Sequence, residues 1–217
     1  MTHASLTIIR HEHHALSGML RSILLLLGEH RRHGTLPDFG ALRAMLFYVD
    51  EFPEKLHHPK ESALLFPKLR GHSAHSDQVL DRLDRDHGRG EHAIRELEHA
   101  LLGFEMMGET EAGEPRRATF ETAMHLYVRF YLEHMHIEET EVLPLAEAVL
   151  GAADWAELDT AFLSNHDPLS GFDAVAAYQP LFKKVLSALP ATSGVGSALE
   201  ALAGAGLPRY AWPPCVD

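Results

Sequence analysis

Four long segments of the chain carry apolar side chains at intervals of three and four residues, and this spacing most constrains the fold. In residues 5–33 the row consists of Leu6, Ile9, Leu16, Leu20, Ile23 and Leu27. Such a row lies along one face of a helix. Similar rows run through residues 38–70, 77–107 and 116–149, and connections with glycine or proline separate them. No segment alternates with period two. The chain is therefore predicted to be all-α, an up-down-up-down four-helix bundle.

Two prolines and the C-terminal third complicate this prediction. Pro53 and Pro59 lie within the second segment, where proline removes a helical hydrogen bond, so we expect kinks or a break near Pro53. Residues 1–150 are predicted to form the bundle. Residues 151–217 form an extension of short helices and coil, packed on the bundle or trailing from it. Its helices are expected at residues 153–163 and 178–189, and the tail from Pro190 is expected to be extended or partly disordered.

The bulk composition excludes several classes of protein. The formal net charge is −12, so there is no basic field for nucleic acid. The densest apolar run, residues 23–27, is only five residues long, far below the ~20 that a membrane span needs. The single cysteine, Cys215, excludes an internal disulfide and a multi-cysteine metal site. These properties predict a soluble cytoplasmic protein that binds neither nucleic acid nor membrane, as a monomer or homodimer.

Six polar residues occupy positions in the otherwise apolar rows. They are distributed over all four segments, and two pairs have His-x-x-x-Glu spacing: His13, His57, Glu61, His87, His134 and Glu138. A lone histidine on such a face is more often a hydrogen-bonded core residue than a ligand. Two carboxylates and four imidazoles that converge in a core need cations, however, and the rows contain no lysine or arginine. The pattern therefore predicts a metal centre.

The remaining histidines, among the 17 in the chain, lie off the rows. We expect most of them to be solvated surface residues, namely His58, His72, His75, His92 and His136. His11 and His14 flank His13 but do not fit its spacing. Glu91, four residues after His87, either completes a third pair or points to water, and its position slightly favours water.

The ligand types limit the metal. Imidazole and carboxylate without thiolate suit iron, manganese or zinc. Two glutamates on different helices, each able to bridge, suggest a dinuclear site. Iron is the expected occupant in a bundle built for oxygen chemistry, with zinc or manganese as substitutes.

The chain resembles a bacterial member of the hemerythrin-like family, the HHE cation-binding domain. The resemblance rests on residues 8–16, 52–61, 83–87 and 134–144, and it covers residues 5 to about 150. It implies a non-haem di-iron site in which His13, His57, His87 and His134 are terminal ligands. It also implies that Glu61 and Glu138 bridge the two metals.

Two departures separate the chain from the oxygen-carrying hemerythrins. Those proteins have five histidine ligands, with a His-x-x-x-His pair on the third helix, where this chain has Glu91. Their last helix pairs histidine with aspartate five residues on, whereas Glu138 follows His134 by four. Fewer imidazoles and more carboxylate lower the iron potential, which argues against reversible oxygen carriage. The leading hypothesis is a di-iron protein that binds or senses oxygen, nitric oxide or a peroxide, rather than an enzyme with an organic substrate.

Two other functions remain open at this level. A ferritin-like ferroxidase carries Glu-x-x-His, which matches residues 54–57 and 96–99, but that scheme gives His13, His87 and His134 no role. The third reading is an interaction module that binds metal without turnover.

Overall fold

A computed structural model describes residues 3–167 together with 169, 180, 181, 183 and 184. Within these residues the chain forms five helical rods. Helix α1 spans Ala4–His33. Helix α2 begins at Phe39 and ends at Leu69, in five consecutive segments: Phe39–Val49, Asp50–His57, His58–Lys60, Glu61–Leu65 and Phe66–Leu69. Helix α3 spans Ala74–Met107. Helix α4 consists of Gly113–Ile137, Glu138–Val142 and Leu143–Val149, and α5 spans Ala152–Leu163.

The first four helices close into a bundle. Each packs against the next along the chain, and α4 packs back on α1. Because the connections between them are only a few residues long, consecutive helices run in opposite directions. No strand occurs in the described residues. The prediction of an all-α four-helix bundle is confirmed, and α3 begins at Ala74 rather than Asp77 because Ser73 and Ser76 form a capping box there.

The core of the bundle consists of two apolar clusters. The larger cluster contains Met19, Tyr48, Phe104 and Tyr131 among others. The smaller one contains Leu6, Phe66 and Leu143, and α5 adds Trp155, Leu158 and Phe162 to it. The described part of the C-terminal extension thus packs on α1, while the second helix expected there, residues 178–189, lies mostly outside the described residues.

Of the two expected outcomes, kinks or a break near Pro53, the break does not occur, because helix α2 stays helical through Pro53. The segments Asp50–His57 and Glu61–Leu65 are π-helical, and so is Glu138–Val142 in α4. In each case a backbone N–H bonds to the carbonyl five residues back: His58 to Pro53, Phe66 to Glu61 and Leu143 to Glu138. Proline has no N–H to donate to the helix, and the wider π turn lets the helix continue past it with bonds of this longer spacing.

The two short π segments are related by position. Each begins at the glutamate of a His-x-x-x-Glu pair, spans five residues, and is followed by a proline six residues after that glutamate, Pro67 or Pro144. Single π turns inside α-helices frequently mark functional sites. The repeated arrangement therefore directs attention to the level of the bundle where Glu61 and Glu138 lie.

None of the described helices is both long enough and apolar enough to cross a membrane.

Candidate metal centre

The six polar residues singled out in the sequence meet in one buried layer. They come from all four bundle helices, and the side chains are at most 9% exposed: His13, His57, Glu61, His87, His134 and Glu138. The layer lies between the two apolar clusters, since Ile9 and Leu16 on either side of His13 belong to different clusters. Water is thus kept from both faces of the layer.

The two carboxylates each divide their oxygens between two groups of imidazoles. Glu61 Oε1 lies 3.2 Å from His57 Nε2, and Glu61 Oε2 lies 3.5 Å from His87 Nε2.

Glu138 repeats this arrangement from the opposite helix. Its Oε2 lies 3.2 Å from His13 Nε2, and its Oε1 lies 3.1 Å from His134 Nε2. The donors therefore form two groups that share the two glutamates. One group contains His13 and His57, and the other contains His87 and His134.

Most inward-facing atoms of this layer lack hydrogen-bond partners, the exceptions being Nε2 of His87 and His134, which lie 3.1 Å apart. All four oxygens of Glu61 and Glu138, and Nε2 of His13 and His57, are buried without one. Native proteins leave few buried polar side-chain atoms unpaired, because each costs about 1–3 kcal/mol. A metal ion removes this cost by binding those atoms directly. The donor atoms cluster within 4.8 Å of one another, both in His13, His57 and Glu61 and in Glu61, His87, His134 and Glu138.

The outer ring nitrogens of three of these histidines contact acidic or hydroxyl groups. His57 Nδ1 donates to Glu12 Oε2 at 2.6 Å, and His13 Nδ1 donates to Glu139 Oε1 at 3.0 Å.

His87 reaches a carboxylate through a hydroxyl. Its Nδ1 donates to Ser62 Oγ at 2.9 Å, and that hydroxyl donates to Asp84 at 2.7 Å. His134 Nδ1 lies 3.9 Å from Asp86, too far for a hydrogen bond. Metal-ligating histidines almost always place such a partner on the nitrogen that does not bind the metal, which fixes the ring and leaves Nε2 as the inward donor.

Opposite charges balance across the layer. Burial lowers the pKa of His134, but the Glu138 charge opposes it and the net pKa rises to about 10. Burial would raise the pKa of Glu138, yet the charge of His134 and the close Nε2 contacts of His13 and other imidazoles bring it well below its ordinary value. The protein without metal therefore keeps imidazolium and carboxylate groups paired, and metal binding must displace protons from the imidazoles.

The prediction that His58 is a surface residue is wrong. His58 is 3% exposed, and its ring stacks on that of His87 at a centroid distance of 4.5 Å. One ring nitrogen of His58 lies within 4.8 Å of the donor nitrogens of His87 and His134. Its position beside His57, off the apolar row, gave no signal of this, because the wide π turn before it alters the helical phase.

Glu91 does not join the layer. Its side chain is 56% exposed and pairs with Arg95, also exposed, so the reading that it points to water holds. His11 and His14 are exposed, as expected from the spacing, and so are four of the five histidines assigned to the surface: His72, His75, His92 and His136. Among the described residues five histidines are buried, and the fifth is His58.

The two Glu-x-x-His matches do not converge on a site. Both oxygens of Glu54 are occupied, one by the hydroxyls of Tyr127 and Tyr131 and the other by His58. Glu96 and His99 are exposed. The ferritin-like scheme therefore lacks its carboxylates at the polar layer.

Residues beyond the bundle also support the layer. Asn165 Nδ2 donates to both oxygens of Glu12 at 2.9 Å, and Glu12 in turn accepts from His57. Lys60 donates to the side-chain oxygen of Asn165. Neither Glu12 nor Asn165 stands out in the sequence, because their role depends on a contact between residues 153 positions apart.

Comparison with known proteins agrees with the geometry. A family model, the hemerythrin HHE cation-binding domain, matches residues 4–146. No curated protein matches the chain. The matched residues include every member of the buried layer and exclude Asn165. The chain has a helical bundle and a buried His/Glu cluster able to hold metal. Because the family model also covers most of its length, the chain belongs to the hemerythrin HHE cation-binding family.

Proposed function

We propose that the protein holds a carboxylate-bridged pair of non-haem iron ions and binds or senses a small ligand, namely oxygen, nitric oxide or a peroxide. His13 and His57 would hold one iron, and His87 and His134 the other. Glu61 and Glu138 would each contribute one carboxylate oxygen to each iron. When bound, the iron pair supplies Lewis acidity and one-electron redox chemistry toward such ligands.

The observation that carries this proposal is the division of the four glutamate oxygens. Each oxygen lies 3.1–3.5 Å from an Nε2 atom and has no hydrogen-bond partner. A mononuclear site would leave the second oxygen of each glutamate buried and unpaired, at a cost of several kcal/mol for charged groups. Two metal ions account for all four oxygens.

The protein side of the chemistry is binding, orientation and exclusion of water. The rings of Phe66 and Phe162 pack against His87 and His57 at centroid distances of 5.5 and 5.8 Å. These apolar rings shield the polar layer on the side of the smaller cluster. The acidic and hydroxyl partners of Nδ1 hold the imidazoles in place.

Iron analysis and spectroscopy test the proposal. We expect protein purified without a histidine tag, then loaded anaerobically with Fe(II), to retain two irons per chain. After reduction, exposure to oxygen, nitric oxide or hydrogen peroxide should change the UV-visible spectrum. Retention of substoichiometric iron, or spectra that none of the three ligands alters, would contradict the proposal and favour an interaction module.

A matched pair of variants ties the iron to the layer. Glu138→Gln preserves the side-chain shape but removes a charge at a buried bridge, so it should lose at least one of the two irons. Glu96→Gln makes the same change on an exposed side chain, 69% accessible and paired with His92. It should retain both irons and the parent spectrum. Equal iron content in the two variants would show that the iron does not bind at this site.

A further inference from the structure

His58 has a second buried environment, formed by Glu54 and Tyr131. Its Nδ1 lies 3.2 Å from Glu54 Oε2, and its ring is stacked parallel to that of Tyr131 at 5.3 Å. Glu54 Oε1 accepts hydrogen bonds from both Tyr127 and Tyr131, at 2.7 and 2.5 Å. Each of these four side chains is buried. Because Nδ1 is bonded to a carboxylate, Nε2 is the nitrogen left to face His87 and His134.

Two other imidazoles of the layer show the same partner arrangement. His57 has Glu12 on its Nδ1, His13 has Glu139, and His58 has Glu54. Glu54 is further fixed by two tyrosine hydroxyls, so it contacts three different side chains. Such fixing is what orients a ligand before the metal binds.

We propose that His58 is a third imidazole ligand of the iron position held by His87 and His134, and that Glu54 with Tyr127 and Tyr131 positions it. This inference rests on the proposed function. It gives one iron three imidazoles and the other two, with Glu61 and Glu138 shared between them. Donor atoms on opposite sides of one ion stand ~4.2 Å apart, for a metal–nitrogen distance of about 2.1 Å. The donor nitrogens of His58, His87 and His134 all lie within 4.8 Å of one another, near enough to approach one ion.

The assignment has a consequence for ligand binding. The iron on the His13 and His57 side has fewer protein donors, so an external ligand is expected there. His58 also brings the number of imidazoles to five. Helix α2 thus supplies the imidazole that α3 lacks, because α3 has Glu91 where a second histidine would stand.

The plain alternative is that His58 only satisfies Glu54. The two residues are four apart on α2, a spacing at which side chains of one helix face meet. In that case His58 would affect folding and leave the irons unchanged. Iron stoichiometry and the electronic environment of each iron therefore separate the two roles.

His58→Ala and His92→Ala form the test pair, since His92 is 76% exposed. Both are loaded anaerobically with ⁵⁷Fe(II), passed over a desalting column and measured for iron content and Mössbauer spectrum. The parent and His92→Ala should keep two irons in two distinct environments. His58→Ala should retain one iron, with affinity for the second reduced more than about 10-fold. Parent-like iron content and spectrum in His58→Ala would overturn the inference.

Two further variants keep the test decisive. Glu54→Gln and Tyr131→Phe should weaken the same iron by about 10–100-fold and shift only its Mössbauer signal. Unchanged iron affinity in both variants would show that Glu54 and Tyr131 do not position His58 for metal binding. If circular dichroism finds His58→Ala unfolded, His58→Gln, which retains a polar partner for Glu54, takes its place under the same criteria. Failure of the parent itself to bind an iron pair would instead refute the proposed function, and this inference with it.

Discussion

Gly90 lies so close to Tyr131 that a Cβ at that position would overlap the tyrosine hydroxyl oxygen. The same Cβ would stand 2.9 Å from Glu54 Oε1. Because Gly90 on α3 has no side chain, the Tyr131 hydroxyl can reach Glu54, which in turn contacts His58. Gly88, two residues earlier on the same helix, has no atom within 4 Å of its own Cβ position.

The first prediction compares alanine at these two glycines. Gly90→Ala should displace the Tyr131 hydroxyl from Glu54 and destabilise the fold by about 1–3 kcal/mol, the usual cost of an overpacked core. It should also weaken iron binding. Urea denaturation and iron titration measure the two effects.

Gly88→Ala is the control for that prediction. Alanine is favoured over glycine inside a helix by about 0.8–1 kcal/mol, and Gly88 is exposed, so this variant should be slightly more stable than the parent with unchanged iron affinity. If the two variants behave alike, then the close approach to Tyr131 has no role in the site.

The second prediction concerns Asn165, which lies beyond the residues of the family match. Asn165→Ala removes both hydrogen bonds to Glu12 and leaves that carboxylate to hold His57 alone. Loss of such a supporting partner typically costs 10–100-fold in metal affinity. We expect a loss of about 10-fold for Asn165→Ala, measured by competition with a chelator.

Thr160→Ala serves as its control. The Thr160 hydroxyl is exposed and bonds only to the carbonyl of Ala156 within α5. This variant should bind iron as the parent does. If Asn165→Ala also binds iron with the affinity of the parent, then the segment after α5 packs on the bundle without influence on metal binding.

The third prediction uses the buried carboxyl of Asp167. Burial raises its pKa to about 7, although it accepts hydrogen bonds from the Tyr48 hydroxyl and the Leu169 N–H. The folded state therefore binds a proton that the unfolded chain releases near pH 3.8. Stability from this group is fully present below pH 3.8, falls as the pH rises, and is lost above about 7.

Asp167→Asn tests this because it removes the titration while retaining the shape. At about 1.4 kcal/mol per pH unit between the two pKa values, the upper bound on the gain is about 4 kcal/mol. The variant should be more stable than the parent at pH 8, and the difference should shrink toward pH 4. Denaturation midpoints are compared at equal metal content. A difference that stays constant across this range would show that Asp167 does not titrate as described.

The spacing of apolar residues was enough to predict the bundle and the six residues of the polar layer. A helix repeats every 3.6 residues, so a polar residue that falls in an apolar row must face the core. His13 and His87 were found on that ground alone, and both are buried. The same rule separated His13 from the exposed His11 and His14.

Only the tertiary structure brought in His58, Glu54 and Glu12. His58 and Glu12 each adjoin a residue of the rows, His57 and His13, and in a regular helix neighbours point in different directions. The polar layer is wide enough for both members of each pair, and the π turn before His58 changes its direction. No spacing rule expresses this, because it depends on the distance between helices.

The partners of the imidazoles follow the same division. Glu54 meets Tyr127 and Tyr131 across 73 and 77 positions, and Glu12 meets Asn165 across 153. The sequence determined which side chains face inward, since that is a local property of helical geometry. The fold decided which of them touch, because contact between helices depends on packing of the whole bundle.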